Sequence, residues 1–188
     1  SWDFCNDPEK IAPSIFDAWW RNLFPAIWQD ELAEMRYPSW NTTVAIILNK
    51  PDAKWFDNIG TPEVETLSDL VVTSFQKSCN ELEEKCSQFS EENDHWQWGK
   101  YRPTNIRHLA KIPGLGRTNL FTGGNKGIVN ANTGDTGPSW RMVVALGNEV
   151  QAYGIYPGGQ SGNPGSKYYD NFVNDWVKGE LAELLYLK

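Results

Sequence analysis

Apolar residues in the first half of the chain recur at helical spacing. Ile15, Trp19, Leu23, Ile27 and Leu32 follow a 3.6-residue repeat, and Asp7 ahead of Pro8 and Glu9 supplies a start signal. With Pro25 marking a break or kink, the pattern predicts a helix over about 8 to 35. A second repeat, Val64, Leu67, Val71, Phe75, Cys79, Leu82, Cys86 and Phe89, advances in steps of three and four after the start signal Thr61, Pro62, Glu63 and Glu65. It predicts a helix over 63 to 89, with Glu81, Glu83, Glu84, Lys85, Glu91 and Glu92 as its solvated side and not an acidic catalytic pair. Between the two, the β-branched and apolar run Thr43 to Leu48 fits either a short buried strand or one face of a short helix.

From Trp96 onward Gly and Pro punctuate short segments around 100 to 111, 126 to 132, 139 to 147 and 150 to 157. Trp140, Met142, Val144 and Leu146 alternate with Arg141, Val143 and Ala145, so one face is strongly apolar and the other nearly so, the pattern of a strand covered on both sides. Gly147, Asn148 and Glu149 form a turn, and Ala152 to Tyr156 continues as a second strand, giving an antiparallel hairpin. After the loop from Pro157 to Gly165, Ser166 is placed to cap a helix whose inward residues are Tyr169, Phe172, Val173 and Trp176.

Composition narrows the partners. The 188 residues are 40% apolar and 22% charged, the balance of a globular chain and a soft prior for one domain. With 17 basic and 24 acidic residues the net charge is -7, which repels phosphate backbones and anionic lipid, so nucleic acid is not an expected partner. No apolar run is long enough for a membrane helix, and Ser1 to Lys10 lacks the features of a targeting segment, so any signal peptide is expected outside this chain. The ten Trp stand beside seven Tyr and eight Phe, and such rings build either a dense core or a sticky surface. A Trp-rich module binding carbohydrate or aromatic ligands would gather Trp2, Trp40, Trp55, Trp96 and Trp98 on the surface.

Candidate chemistry is sparse. The three Cys make no disulfide framework, since Cys79 and Cys86 lie about 10 Å apart along a helix. His95 and His108 are the two histidines, and neither CxxC nor HExxH occurs, so no metal site and no cofactor are expected. In Gly158-Gly159-Gln160-Ser161-Gly162-Asn163-Pro164-Gly165 a phosphate cradle would need a Lys-Ser/Thr pair at the helix start. A nucleophile elbow would need Gly two residues after Ser161, where Asn163 stands. The loop therefore reads as a tight strand-to-helix connection, and Gly123-Gly124-Asn125-Lys126-Gly127 as another turn.

Asn130 to Asp135 lacks the acidic first position and closing Glu of a calcium loop, and Asn41-Thr42-Thr43 is a glycosylation acceptor only in a eukaryotic secretory setting. Ser1, as a processed amino terminus, would carry a hydroxyl beside an α-amine of pKa about 7.7 to 8.0 able to act as its own base. Cys5, Cys79 and Cys86 have no neighbouring His in sequence and read as inert thiols.

Gly137-Pro138-Ser139-Trp140-Arg141-Met142-Val143-Val144, Tyr153-Gly154, Tyr156-Pro157 with the Gly158 to Pro164 run, Tyr168-Tyr169-Asp170 and Trp176 closely resemble the end of the β chain in the penicillin acylase family of amino-terminal nucleophile hydrolases. Trp98-Gly99 with His108, Gly123-Gly124, Val129-Asn130-Ala131 and the Trp19-Trp20 region extend the likeness over nearly the whole chain.

The resemblance implies an α+β fold, the carboxy-terminal portion of a four-layer αββα sandwich, and inclines Thr43 to Leu48 towards helix. It implies a helical segment over 1–98 and antiparallel strands with a carboxy-terminal helix over 99–188, both parts of one incomplete domain. Members of the family are made as precursors that cut themselves in two and hydrolyse amide bonds such as those of penicillins or acyl-homoserine lactones.

Their nucleophile is a Ser at the start of the β chain, with its own amine as base and a backbone amide plus an Asn side chain as oxyanion hole. All of these, and the calcium ligands where present, belong to earlier parts of the precursor. Ser1-Trp2-Asp3-Phe4 does not match the family's Ser-Asn start, so no catalytic residue is expected in this chain. The expected partners are the α chain and the amino-terminal part of the β chain, with an amide substrate reaching the assembled enzyme, and self-association of the isolated chain. Gly158, Gly159, Gln160, Ser161, Gly162 and Asn163 are expected to be a structural family loop, and the compartment to be periplasmic or extracellular.

Overall fold

A computed structural model describes residues 5–89 and 94–185; Ser1, Trp2, Glu91 and Glu92 lie outside the described residues. The architecture is α+β, with helices first, then antiparallel strands, and a helix and a short strand at the end. Contacts group the chain into two units, Ile11–Trp96 and a second made of the residues up to Lys10 with those from Gln97 onward.

In the helical unit α1 spans Ala12–Leu32, with Pro13 in its first turn, where a missing N–H costs nothing. Pro25 stands inside the helix without ending it. The ambiguous run Thr43 to Leu48 is helical: α2 spans Trp40–Asn49, and the Ser39 hydroxyl caps it by accepting the Thr42 N–H at 3.2 Å. A single 3-10 turn follows at Lys54–Phe56.

Helix α3 spans Leu67–Cys86 and begins later than Thr61-Pro62 suggested. Thr66 and Asp69 form a reciprocal capping box, in which the Thr66 backbone N–H donates to Asp69 Oδ2 at 2.8 Å. Thr61 serves the preceding loop instead, its hydroxyl lying 2.8 Å from Glu65 Oε1 and 2.9 Å from the Asn58 carbonyl, which share its one proton.

The buried face of α3 is also rotated from the predicted stripe. Ser74, Ser78 and Leu82 are buried, while Phe75 is 45% exposed and Val64 and Phe89 are exposed as well. The partners on α1 explain this. Trp19 Nε1 donates to Ser74 Oγ at 3.1 Å, and Asn22 Nδ2 donates to Ser78 Oγ and Glu81 Oε2, both at 3.0 Å. Glu81 is therefore half-buried and bonded, not part of the solvated side. The core of the unit is Leu23, Ile27, Trp28 and Phe56, and Trp28 Nε1 donates to the buried Thr43 Oγ1 at 3.1 Å.

In the second unit one helical turn, α4 (Trp98–Tyr101), is held by backbone bonds from Trp98 to Lys10 and from Gly99 to Pro8, each 2.9 Å. Strands β1 (Thr104–Ile106) and β2 (Arg117–Leu120) pair antiparallel, and the buried Thr104 and Thr122 hydroxyls meet at 2.7 Å beside them. The expected hairpin is present as β3 (Arg141–Ala145) and β4 (Gln151–Ile155), with Met142 opposite Gly154 and Val144 opposite Ala152.

A third strand absent from the sequence reading, β5 (Ala182–Leu184), pairs with the far side of β4, giving the order β3-β4-β5. Residues 126 to 132 form no strand. The helix expected from Ser166 begins only at Val173: α5 spans Val173–Lys178, and Ser166 closes a turn by accepting the Tyr168 N–H at 3.2 Å. Val173 and Trp176 face inward as expected. Strand β3, patterned for cover on both sides, has Met142 at 54% and Val143 at 58% exposure, so this chain alone leaves both of its faces open.

Candidate functional site

The loop from Pro157 to Asp170 is built by its own backbone. Gly158 has φ +141°, and a Cβ on Gly159 would lie 2.2 Å from the Tyr168 carbonyl oxygen, so glycine alone lets the two arms of the loop close. Phe172 N–H donates to the Gly158 carbonyl and Ser161 N–H to the Tyr168 carbonyl, both at 3.0 Å. Gln160 N–H donates to Asn171 Oδ1 at 3.1 Å, and Asn171 Nδ2 returns a 3.3 Å bond to Gln160 Oε1.

The candidate side chains of this loop are spent on turns. Ser161 Oγ accepts the Asn163 N–H at 3.1 Å, and Asn163 Oδ1 accepts the Gly165 N–H at 3.0 Å. A Cβ on Gly162 would meet nothing within 4 Å. Gly158, Gly159, Gln160, Ser161, Gly162 and Asn163 are thus brought together as a self-closed clamp. Among the described residues no hydrogen bond joins Ser161 to a histidine or a carboxylate, so its hydroxyl has no base to activate it.

The clamp forms one wall of a cavity of about 310 Å³ that His108, Arg117, Tyr156, Tyr169 and Asp170 also line. Arg117 Nε donates to Asp170 Oδ2 at 2.9 Å, and its Nη2 reaches the same oxygen, so the pair is locally neutral. Its guanidinium also lies 5.7 Å from the Tyr169 ring centre, and the Tyr169 hydroxyl donates to the Leu115 carbonyl at 2.9 Å. His108 Nδ1 is buried without a hydrogen-bond partner. The cavity offers one imidazole and a neutralised ion pair, with neither a paired acid and base nor an activated nucleophile.

The second polar centre is Arg141, which the sequence reading did not single out. Its Nη1 donates to the Trp176 carbonyl, its Nη2 donates to Asn130 Oδ1 at 2.8 Å, and burial pushes its guanidinium below the usual range. Asn132 Nδ2 donates to the Gly123 carbonyl at 2.8 Å, and Gly124, at φ +100°, sits so close to Asn130 that a Cβ would lie 2.1 Å from its carbonyl oxygen. The 123–132 region is therefore a braced turn. A lone charge in an apolar strand was the available signal for Arg141.

The remaining candidates separate. Trp96 and Trp98 are buried, donating to the Ser87 and Gly124 carbonyls at 3.0 and 2.9 Å. Trp55 packs on Trp28 with centroids 5.3 Å apart, while Trp40, 51% exposed, stacks on Trp20 at 4.6 Å. The surface cluster that a Trp-rich binding module would need does not form among the described tryptophans, Trp40, Trp55, Trp96 and Trp98. Cys79 and Cys86 are unpaired, and burial pushes both thiols up, for Cys79 with a smaller contribution from Glu83. Among the described residues no group of three His, Cys, Asp or Glu is placed to hold a metal ion, and no helix is long and apolar enough to cross a membrane.

The sequence model of the Penicillin amidase family matches residues 1–188. An acyl-homoserine lactone acylase QuiP of Pseudomonas syringae pv. syringae (strain B728a) is 27% identical, over 93% of this chain and 24% of the relative. The protein of that name in Pseudomonas fluorescens (strain Pf0-1) is 25% identical over 94% of this chain and 23% of the relative, and that of Pseudomonas aeruginosa PAO1 is 23% identical over 90% and 24%. The chain spans about a quarter of the length of these relatives. Its α+β order of helices, then antiparallel strands, is consistent with a portion of an amino-terminal nucleophile hydrolase. With the match covering every residue, the chain belongs to the penicillin amidase family.

Proposed function

We propose that this chain is the carboxy-terminal structural part of an amidase that hydrolyses linear amide bonds of the penicillin or acyl-homoserine lactone type. In this reading the nucleophile and oxyanion hole come from the rest of a self-cleaving precursor, the chain is inactive alone, and the assembled enzyme works in the periplasm or outside the cell. The observation that carries it is β3, a strand with apolar residues on both faces and both faces open, in a chain matching only 24% of a relative named as an acylase.

The clamp supports the same reading. Ser161 and Asn163 hold turns and have no base beside them, which suits a wall better than a reacting centre. The loop shapes the region at the end of the sheet, and its role is to keep that end rigid, since a misplacement of about 1 Å can cost on the order of a hundredfold in rate.

The test is turnover of a long-chain acyl-homoserine lactone by the purified chain and by the product of the complete gene. The complete product hydrolyses the amide and the isolated chain does not. Turnover by the isolated chain that disappears on Ser161→Ala would overturn the proposal.

A further inference from the structure

We propose that a second cavity, which shares Arg107 and His108 with the clamp cavity, is a binding site for a small carboxylate with an apolar tail. Its volume is about 390 Å³, within the range of small-molecule sites. Arg107, His108 and Lys111 supply its polar wall, and Ile112 and Pro113 its apolar one. The site goes beyond the amidase reading and is built entirely from side chains of the second unit.

The backbone fixes this wall. Lys111 N–H donates to the His108 carbonyl at 2.8 Å and Leu115 N–H to the Ile112 carbonyl at 3.3 Å, so two turns follow one another. Lys111 holds φ +54°, a region that favours glycine, so the turn itself does not call for a lysine. A Cβ on Gly116 would lie 2.7 Å from the Ile106 carbonyl oxygen, which seats the returning arm of the loop tightly against the end of β1.

Charge selects the head of the ligand. From His95 to Gly134 the sequence has no Asp or Glu, in a chain with 24 acidic and 17 basic residues, and no described carboxylate lines the cavity. Arg107 Nη2 donates to Asp135 Oδ1 at 2.6 Å, which leaves its other N–H donors to spare. Among the described residues the Lys111 ammonium has no partner. His108 Nδ1 is buried and unbonded, a polar atom that a bound group would satisfy. With its proton on Nδ1 the imidazole donates to one carboxylate oxygen while a cation holds the other.

The apolar wall selects the tail. Ile112 is 48% exposed beside these donors, and a bare inorganic anion would leave it and Pro113 uncovered. An alkyl chain attached to the head covers both.

Titration calorimetry of octanoate into the complete gene product tests the site. Lys111→Gln weakens one binding event by about fivefold, and Lys111→Gln with His108→Gln weakens it more than about 10-fold. Lys126→Gln, an exposed change outside the cavity, leaves that event unaltered. Octanamide, which has the tail without the charge, binds at least about 10-fold more weakly, and affinity rises about twofold per methylene from butyrate to octanoate. The absence of an event sensitive to Lys111→Gln overturns the proposal, as does equal affinity for octanamide. Inorganic phosphate binding as tightly as octanoate overturns it too, since the site would then read a bare anion.

Crystals soaked in ω-bromohexanoate provide an arm that needs no variant. The bromine signal is expected against Ile112 and Pro113, and bromine found only elsewhere contradicts the assignment. Amidase turnover is read separately: a product without turnover that keeps the event sensitive to Lys111→Gln would sink the amidase reading and leave the carboxylate site standing.

Discussion

The guanidinium of Arg141 lies 4.5 Å from the centre of the Trp176 ring and donates to the carbonyl of the same residue. One side chain thereby fastens the start of β3 to α5, while Trp176 Nε1 donates to the Pro138 carbonyl at 3.0 Å and ties the same helix to the segment before the strand. Trp176 is fully buried. Trp176→Ala therefore lowers the stability of the carboxy-terminal unit by about 3–5 kcal/mol, and Arg141→Met, which keeps the stem and loses the bonds, by about 1–3 kcal/mol. Denaturant unfolding followed by tryptophan fluorescence in the Arg141 variant, and by circular dichroism in the Trp176 variant, measures both.

The clamp loop makes a contrast between two glycines three residues apart. Gly159→Ala forces a Cβ against the Tyr168 and Tyr169 backbone and destabilises by about 1–3 kcal/mol. Gly162→Ala, which meets nothing, is neutral within about 0.5 kcal/mol. Paired thermal melts of the two variants check this, and equal losses would show that the loop is not closed as described.

The capping box on α3 gives an acid dependence. Bonds from the Thr66 hydroxyl and backbone hold the Asp69 carboxyl below its usual range, and the Asn58 backbone and Thr61 hydroxyl do the same for Glu65. A depressed carboxyl stabilises the fold fully above its unfolded pKa and loses that contribution as pH falls through its folded pKa. Melting temperature therefore drops as the solution is acidified below the ordinary Asp and Glu range. Thr66→Ala lowers stability by about 1 kcal/mol at neutral pH and flattens this acid limb, which a pH series of melts on parent and variant will show.

Thr43 tests the buried polar pair of the helical unit. Its hydroxyl accepts from Trp28 Nε1 and donates to the Ser39 carbonyl at 3.1 Å. Thr43→Val keeps the shape and strands the indole N–H, at a cost of about 1–3 kcal/mol by urea denaturation. An unchanged midpoint would mean that the indole finds another acceptor.

Local signals made the helices and the hairpin legible. A capping Ser39 stands ahead of the run that periodicity left undecided, and the turn at Gly147 separates two apolar strands. Pro62 and Glu63 imitate a helix opening and so mask the true start of α3, although Thr66 and Asp69 stand at capping-box spacing. Its buried face was not legible at all, since Ser74 and Ser78 are selected by Trp19 and Asn22 of another helix. The late start of α5 has a similar origin: Ser166 had a competing turn to close. The family loop was visible as a string of residues, but the role of Arg141 depends on a ring 35 positions further along, which no local pattern announces.

The two backbone bonds that join Trp98 to Lys10 and Gly99 to Pro8 give the connectivity a further meaning. The polypeptide departs for the helices after Lys10 and comes back beside it at Trp98, so everything in between is an excursion with a closed neck. Lengthening a detour of this kind raises its closure cost only logarithmically, by about 0.6 kcal/mol for each doubling. Evolution is thus free to enlarge, trim or exchange the helices between Ile11 and Trp96 while the strands beyond the neck keep their register.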